Sequence, residues 1–540
     1  TLDNLNPQNL TPKHKKQLEF LCKIFHKDFL FGEFNLNNPL SPRFYNELLY
    51  ILGLAEYTKN GKILILPSKE SKEGKNTLYH LITSHLQAHD THKANDLDFV
   101  MQYIILWLNR ILFLKLIEAN LVRFNDDKTL SFLNKSKLKD YQALSHLFFE
   151  ILAKEHHKRD TSSPLSYLPH LNSSLFEKQE CEEILEISML DNNATFFYYP
   201  TTQVKKDGKT KAGSVNLLGY IFEFLDSFDY GSGEAGKNNA RHSARFDSVD
   251  SSNVIEQKEL IKTNVLGLVF EKLNGYKEGS YYTPNFITSY MCRVSLEQVI
   301  VEKFNEANPK WNAKNLNDLR ELIRDERERR EDFKKILREI KICDPAVGSG
   351  HFLVSVLCEM VRIYHYLRLS DELNEYDLHI ENDEIIIYVA RDKVFDYRKP
   401  TKPNDNNQAI QKSLFHLKKC IIESNLFGVD INPNSVEICK LRLWIELLKN
   451  SYYLTQGDDG YEPHLSVHCH QMQTLPNIDI NIKCGNSLIS RFALQDSLRH
   501  IPNIDKQIKD YQKLVFEYKN SSQSELKPQK KDIESKIQNL

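Results

Sequence analysis

The sequence predicts an α/β domain with a mainly parallel sheet, preceded by a mostly helical domain. Three observations lead to this fold class. One strand-like run passes through a glycine turn into an apolar helix at residues 341–353, and another at 425–431 ends in an acid before a second helix. Ahead of both, residues 97–158 carry apolar side chains at helical spacing. Strands that alternate with helices are typical of a parallel sheet.

The composition is that of an ordinary globular protein. A chain of 540 residues with 41% hydrophobic and 27% charged residues can fill several hydrophobic cores. Its net charge of −2 does not by itself indicate a nucleic-acid-binding protein. The nine cysteines follow no disulfide framework, so we expect a reducing cytoplasm. Charged residues interrupt the most apolar stretch, 103–122, which we therefore predict to be a buried helix and not a membrane span.

The first 256 residues predict several secondary-structure elements but contain no motif that indicates a catalytic or binding function. Helical spacing at 12–54 is followed by a short strand-like run at 62–66, and a second strand-like run occupies 195–199. Asp207-Gly208 between lysines predicts a hairpin tip, which we interpret as a solvated turn in preference to a phosphate contact. Residues 229–253 are rich in Gly, Ser and Asn, which predicts a linker.

The glycine turn carries the strongest chemical signal. In the run Asp344-Pro345-Ala346-Val347-Gly348-Ser349-Gly350, the glycines let the backbone approach a ligand, and the following helix N-terminus offers free N–H groups. Asp344 ends its strand at the carboxyl edge, where ligands bind in open α/β sheets, although helix capping alone also explains an acid there. A dinucleotide site needs a third glycine where Leu353 stands, so a cofactor without pyrophosphate is favoured.

A second acid, Asp430, follows the strand-like run that begins at residue 425. Its two carboxylate oxygens suit a ribose diol, and Ile431 is then placed to lie against an adenine ring. Such an acid alone is more often structural, but after the glycine turn the ligand role is favoured. The two acids are separated by far more than the roughly 20 residues of a minimal strand–helix–strand unit. We therefore predict an insertion at about 367–410 that elaborates the surface.

Two further segments complete the pattern. At 481–488 a strand-like run ends in a loop with Asn486, whose amide oxygen can accept a hydrogen bond. Upstream, Tyr282-Thr283-Pro284 opens a helix, which Thr283 is placed to cap with Pro284 at the first helical position.

In their order along the chain, the four segments resemble motifs of amino-group DNA methyltransferases. The chain as a whole resembles type IIG restriction-modification enzymes with a gamma-type, adenine-specific (N6) methyltransferase. The resemblance implies a Rossmann-like methyltransferase domain that binds S-adenosylmethionine and methylates an adenine flipped out of double-stranded DNA. Asn486 stands where the family usually has Asp, which removes a charge from the adenine contact. The cofactor-binding residues that the resemblance implies are Tyr282, Thr283, Asp344, Pro345, Ala346, Gly348, Gly350, Phe352, Asp430, Ile431 and Asn486.

The predicted domain organisation has five parts. Residues 1–95 form a mixed N-terminal segment, where a nuclease domain would be joined if the protein has one, and residues 96–228 form a helical connector with a β-hairpin. Residues 229–256 are the flexible linker, 257–490 the incomplete S-adenosylmethionine-binding domain, and 491–540 a helical extension or insertion.

The family's catalytic loop, Asn-Pro-Pro-aromatic, does not occur in the 540 residues. We therefore name no catalytic residue, and we expect a fragment truncated at both its N-terminus and its C-terminus, whose catalytic loop and target-recognition domain lie beyond Leu540 in the same polypeptide. Two alternatives stay open, a methyltransferase of a non-DNA substrate and a cofactor-binding module without catalysis. We predict no metal site, because the histidines and cysteine at 464–470 lack a second ligand pair, and Glu70-Ser71-Lys72 lacks the acidic partner of a nuclease core.

Overall fold

A computed structural model gives the fold. It describes residues 41–59, 62–68, 76–154, 158–159, 163–171, 174–230, 259–261, 267, 269, 272–273, 283–391, 393–402, 405–458, 461, 471–473, 475–476, 478, 480–489 and 503–520. Most of the predicted linker, Tyr282, the cluster at 464–470 and the triplet at 70–72 lie outside these residues.

The N-terminal part is mostly helical, with small antiparallel pairs of strands. Its described helices are α1 Pro42–Leu52, α2 Leu78–His89, α3 Thr91–Asn95, α4 Leu97–Asn125, α5 Tyr141–His146 and α6 Leu217–Asp226. Its described strands are β1 Leu54–Lys59, β2 Lys62–Pro67, β3 Thr195–Phe197, β4 Lys205–Lys206, β5 Lys209–Thr210, β6 Ser214–Asn216, β7 Phe228–Asp229 and β8 Glu259–Leu260.

Helix α4 forms the centre of this part. It begins after Asp96, whose side chain accepts the N–H of Asp98, and it is buried on most of its circumference. The helix is long and apolar enough to cross a membrane, but 94% of its most apolar 18-residue stretch is buried inside the protein. The prediction of a buried helix is therefore confirmed.

The charges inside α4 are paired within the core. The Arg110 guanidinium, fully buried, donates to both carboxylate oxygens of Glu182, at 2.5 and 2.9 Å. Its Nε donates to the carbonyl of Leu175 at 2.7 Å, and Trp107 donates to Glu182 at 3.1 Å. A buried charge is tolerated only with such partners, so this network explains how an apolar helix accommodates an arginine.

The hairpin tip is confirmed. Strands β4 and β5 pair antiparallel, and Asp207 and Gly208 both have positive φ, 52° and 74°. Positive φ at both central residues matches the twist of a two-residue hairpin.

The C-terminal part alternates strands with helices. Its described helices are α7 Asn285–Ala307, α8 Leu316–Asp325, α9 Arg330–Glu339, α10 His351–Tyr366, α11 Asn406–Ser424, α12 Pro433–Leu448 and α13 Ile504–Asn520. Its described strands are β9 Ile342–Asp344, β10 Asp377–Glu381, β11 Glu384–Ala390, β12 Lys393–Val394, β13 Leu426–Asp430 and β14 Ile482–Cys484.

Three of these strands form a parallel sheet in the order β14-β13-β9. Gly428 of β13 is in register with Asp344 of β9, and Asp430 is in register with Cys484 of β14. Helices α10 and α12 follow β9 and β13 and contact the sheet. The predicted parallel α/β arrangement is thus present in the described residues.

Two local predictions are wrong. Helix α7 begins at Asn285 with Pro284 at the capping position, so Thr283 is not the cap. The insertion is also more than a surface elaboration, because the turn between β10 and β11 places Asp383 in the interior, where it is 4% exposed.

The two parts are packed against each other through α4. Asn120 donates to the carbonyl of Leu448 in α12 at 3.0 Å, and the Phe124 ring lies edge-on to Tyr397 with centroids 4.8 Å apart. The N–H of Lys399 donates to the Phe124 carbonyl at 2.8 Å. A continuous core joins the helical part to the α/β part.

Candidate cofactor-binding site

Three polar residues end neighbouring strands of the parallel sheet. Asp344 closes β9, Asp430 closes β13, and Asn486 is the second residue after the end of β14. The strands are parallel and adjacent, so these residues lie at one edge. The structure therefore brings the three predicted strand-end residues together.

The Asp430 carboxylate is fixed by two backbone donors. Its Oδ2 accepts the N–H of Gly348 at 2.8 Å, and its Oδ1 accepts the N–H of Asn432 at 2.8 Å. A carboxylate has about four acceptor positions, so each oxygen keeps one for a ligand hydroxyl. The acid is half-buried and oriented before any ligand arrives.

The glycines of the turn meet different steric demands. Gly348 and Gly350 have φ of 53° and 79°, a left-handed conformation that favours glycine. A Cβ on Gly350 would lie 2.8 Å from Cys439 Sγ in α12, so this glycine permits close helix packing. On the neighbouring strand, a Cβ on Gly428 would lie 2.8 Å from the Val347 side chain. Gly428 therefore lets the turn pack closely on the sheet. No motif in the sequence indicates this role.

Asp344 is a half-buried acid beside a second acid. Its Oδ1 accepts the N–H of Ala346 at 3.0 Å. Burial, and then the negative charge of Asp430, raise the pKa of Asp344 above its usual value. Two nearby carboxylates repel a pyrophosphate and attract a cationic group.

The remaining predicted residues line the same edge with different exposure. Ile431 is 72% exposed, which is unusual for an isoleucine, and Asn486 is exposed with its side-chain oxygen accepting the N–H of Leu488 at 3.0 Å. Pro345 and Ala346 are exposed, and Phe352 is half-buried against the core. Ile431 thus leaves an exposed apolar side chain next to Asp430.

Thr283 precedes α7, which packs on α10. Thr283 is half-buried, whereas Thr288, one turn into the helix, is fully buried and shares a 2.9 Å hydrogen bond with Ser355 of α10. The placement of Tyr282 lies outside the described residues.

Comparisons with known proteins match two separate stretches of the chain. Residues 37–244 match a family described as a domain of unknown function (DUF7814), and residues 424–539 match the family described as Eco57I restriction-modification methylase. A protein of Methanocaldococcus jannaschii, provisionally named as a type II restriction enzyme and methyltransferase, is 27% identical over 478 residues. Residues 424–539 of this chain are thus similar to restriction-modification methylases. The resemblance to methylases of restriction-modification systems is therefore confirmed.

The methylase match includes Asp430, Ile431 and Asn486, whereas the glycine turn and Thr283 precede the matched residues. The alignment with the archaeal protein covers 83% of this chain and 32% of that protein. The chain thus spans about a third of the length of this relative.

A buried arginine, Arg442, holds the glycine turn from α12, and no motif in the sequence indicates it. Arg442 of α12 donates from Nη1 to the carbonyl and the hydroxyl of Ser349, both at 3.3 Å. Both of its Nη atoms face Nδ1 of His351, at 3.3 and 3.4 Å. Burial, and then the Arg442 charge, lower the pKa of His351 to about 3, so the imidazole is neutral and accepts these bonds.

Proposed function

We propose that this chain binds S-adenosylmethionine at the edge formed by Asp344, Asp430 and Asn486, in a Rossmann-like methyltransferase domain. The observation that carries the proposal is the joining of the glycine turn to the strand-end acid by the Gly348–Asp430 hydrogen bond. That bond holds the Asp430 carboxylate, which we propose as the ribose acceptor, beside a backbone turn that a ligand can approach closely.

The charges at the edge favour this cofactor over a dinucleotide. S-adenosylmethionine carries a sulfonium and an ammonium group, which a pair of carboxylates attracts. A pyrophosphate would meet the carboxyl groups of Asp344 and Asp430 at the same edge, and carboxylates repel a pyrophosphate. The absence of a third glycine at Leu353, which is fully buried, points the same way.

Each polar group then has a role in holding the cofactor. The free acceptor positions of Asp430 take the two ribose hydroxyls, and Ile431 lies against one face of the adenine. Asn486 accepts a hydrogen bond from the adenine amino group. Asp344 attracts the ammonium group near the glycine turn, while Thr283, Pro345, Ala346, Gly350 and Phe352 surround the methionine part.

We further propose that the protein methylates the N6 atom of an adenine in double-stranded DNA, in a reducing cytoplasm, as a type IIG restriction-modification enzyme. The methylase match and the archaeal relative support a DNA substrate. The adenine amine is a poor nucleophile, so it must be held in line with the methyl–sulfonium bond. The Asn-Pro-Pro-aromatic sequence of the family does not occur among the 540 residues, so we expect cofactor binding by this chain without methyl transfer.

Calorimetry with S-adenosylmethionine and with NAD tests the cofactor. We expect binding of S-adenosylmethionine alone, and preferential binding of NAD would overturn the assignment. Transfer of tritiated methyl groups to mixed-sequence duplex DNA tests catalysis. Methyl incorporation by this chain alone would show that a different residue set holds the adenine.

A further inference from the structure

Asp383 is a buried carboxylate that the cofactor contacts above do not use. It occupies the second central position of the two-residue turn between β10 and β11, with φ of 58°. Glycine, asparagine and aspartate all adopt this conformation in such turns, so the backbone alone does not explain the residue. A carboxylate that is 4% exposed needs hydrogen-bond partners, and these partners indicate its role.

The carboxylate joins the first turn of α7 to α10. Ser355 of α10 donates to Oδ2 at 3.1 Å, and Ser289 of α7 donates to Oδ1 at 3.4 Å. With its amide nitrogen turned toward Asp383, Asn285 donates to both carboxylate oxygens, at 3.2 and 2.7 Å. Asp383 therefore holds the first residue of α7 directly.

Helices α7 and α10 run in the same direction. Thr288 pairs with Ser355 at 2.9 Å, and farther along Glu297 pairs with Arg362 at 2.6 Å. Because α10 starts immediately after the glycine turn, α7 starts at the same edge of the molecule. Thr283 lies two residues before the start of α7, so its position depends on where α7 starts.

We propose that Asp383 is a positioning residue that holds the start of α7, and with it Thr283, at the amino-acid end of the bound cofactor. The inference rests on the proposed function and adds a role for the insertion. The sheet order explains which end is affected. Asp430 and Asn486 hold the nucleoside on β13 and β14, so the other end of the ligand lies toward β9 and the start of α7.

The test compares two ligands and two glycine variants of one turn. Asp383→Gly removes the carboxylate but suits the turn, so the variant is expected to fold, and Asn382→Gly is the control at the neighbouring exposed position. S-adenosylmethionine carries the amino-acid part, and 5′-methylthioadenosine lacks it. In Asp383→Gly we expect about a tenfold loss of affinity for S-adenosylmethionine and less than about a twofold loss for 5′-methylthioadenosine. The control should bind both ligands as the wild type does.

Equal losses for the two ligands would overturn the proposal, because they indicate general damage, and so would unchanged binding of both. Hydrogen–deuterium exchange measures the anchor without any ligand. We expect faster exchange of the first-turn amides of α7 in Asp383→Gly, with α12 unchanged. Unchanged exchange in α7 would overturn the anchoring role, whether or not the wild type binds the cofactor. A wild type that binds no cofactor would instead overturn the proposed function.

Discussion

At the scale of single residues, Asp430 combines two functions that are easily confused. It holds the glycine turn through Gly348 and the start of α12 through Asn432, and it is the proposed ribose acceptor. Both of its carboxylate oxygens accept backbone N–H groups, and their remaining lone pairs are the proposed acceptors of the ribose hydroxyls. Its replacement therefore affects both the turn and the ligand.

We expect Asp430→Ala to lower the affinity for S-adenosylmethionine by ~1–3 kcal/mol, because the ribose hydroxyls lose their acceptor and the N–H of Gly348 loses its partner. Calorimetry measures the change. Asp325→Ala, an exposed acid at the end of α8, is the matched control and should bind as the wild type does. Unchanged affinity in Asp430→Ala would place the ribose elsewhere.

The charge of Asp383 gives the stability a pH dependence. Burial raises the pKa of Asp383 to about 7, and the nearby carboxylate of Glu446 also raises it, while Arg442, Ser355 and Ser289 lower it. A carboxyl whose pKa is raised on folding contributes its full stability below its unfolded pKa and loses it as the pH rises through about 7.

Asp383→Asn should remove this dependence. Between about pH 4 and pH 7, the window from the ordinary pKa of 3.8 to the raised pKa of about 7, the free energy of unfolding of the wild type should fall relative to that of the variant. Urea unfolding at several pH values measures the difference. A difference that is constant across the window would show that Asp383 does not titrate there.

The sequence predicts part of this site and not the rest, for a physical reason. Asp344, Asp430 and Asn486 each end a strand-like run, and parallel strands place such residues at one edge. Arg442, Ser349 and Asp383 carry no such local signal. Their contacts join segments that are distant in sequence, and only the packing of α10 against α7 and α12 brings them together.

At the scale of elements, α4 shows how a charged network can fix the packing of an apolar helix. Glu182 lies in a short turn and receives the Arg110 guanidinium and the Trp107 indole N–H. Both charged side chains are fully shielded from solvent. Loss of one partner leaves the other charge buried and alone, which is more costly than replacing both.

Glu182→Ala should therefore lower the free energy of unfolding by about 3–5 kcal/mol. Glu183→Ala is the matched control, since Glu183 is the next residue and is exposed. Urea unfolding followed by tryptophan fluorescence measures both, and Trp107 reports on the site directly. A loss no larger than that of the control would mean that solvent reaches Arg110.

Element boundaries were harder to predict than the elements themselves. The densely charged stretch at 318–339 carries a thin apolar line that by itself predicts one surface helix, but the stretch forms α8 and α9 joined by a short turn at Arg327–Arg329. Leu319, Ile323, Phe333 and Leu337 all lie in the core. The apolar line is continuous because two separate helices bury it, which a periodicity of side chains does not distinguish from one helix.

At the scale of the whole molecule, the helical part is built into the methylase region. Arg398 donates to the carbonyl of Arg123 at 2.6 Å, and Asn125 donates to the Tyr453 hydroxyl at 2.6 Å. These contacts join the end of α4 to the segments on either side of α11 and α12. The family match that ends at residue 244 therefore does not mark a part that is independent of the α/β sheet.

The Phe124 ring is a buried apolar contact at this junction, so we expect its removal to uncouple the two parts. Phe124 is 2% exposed and packs edge-on against Tyr397, and truncating such a ring costs about 3–5 kcal/mol. We expect the wild type to unfold in urea in one transition and Phe124→Ala in two, as measured by hydrogen exchange at increasing urea in peptides from α4 and α12. Phe99→Ala is the control, because Phe99 packs on Tyr103 near the other end of α4 and should lower stability without separating the transitions. A single transition in Phe124→Ala, shifted only in its midpoint, would show that the polar contacts alone keep the two parts cooperative.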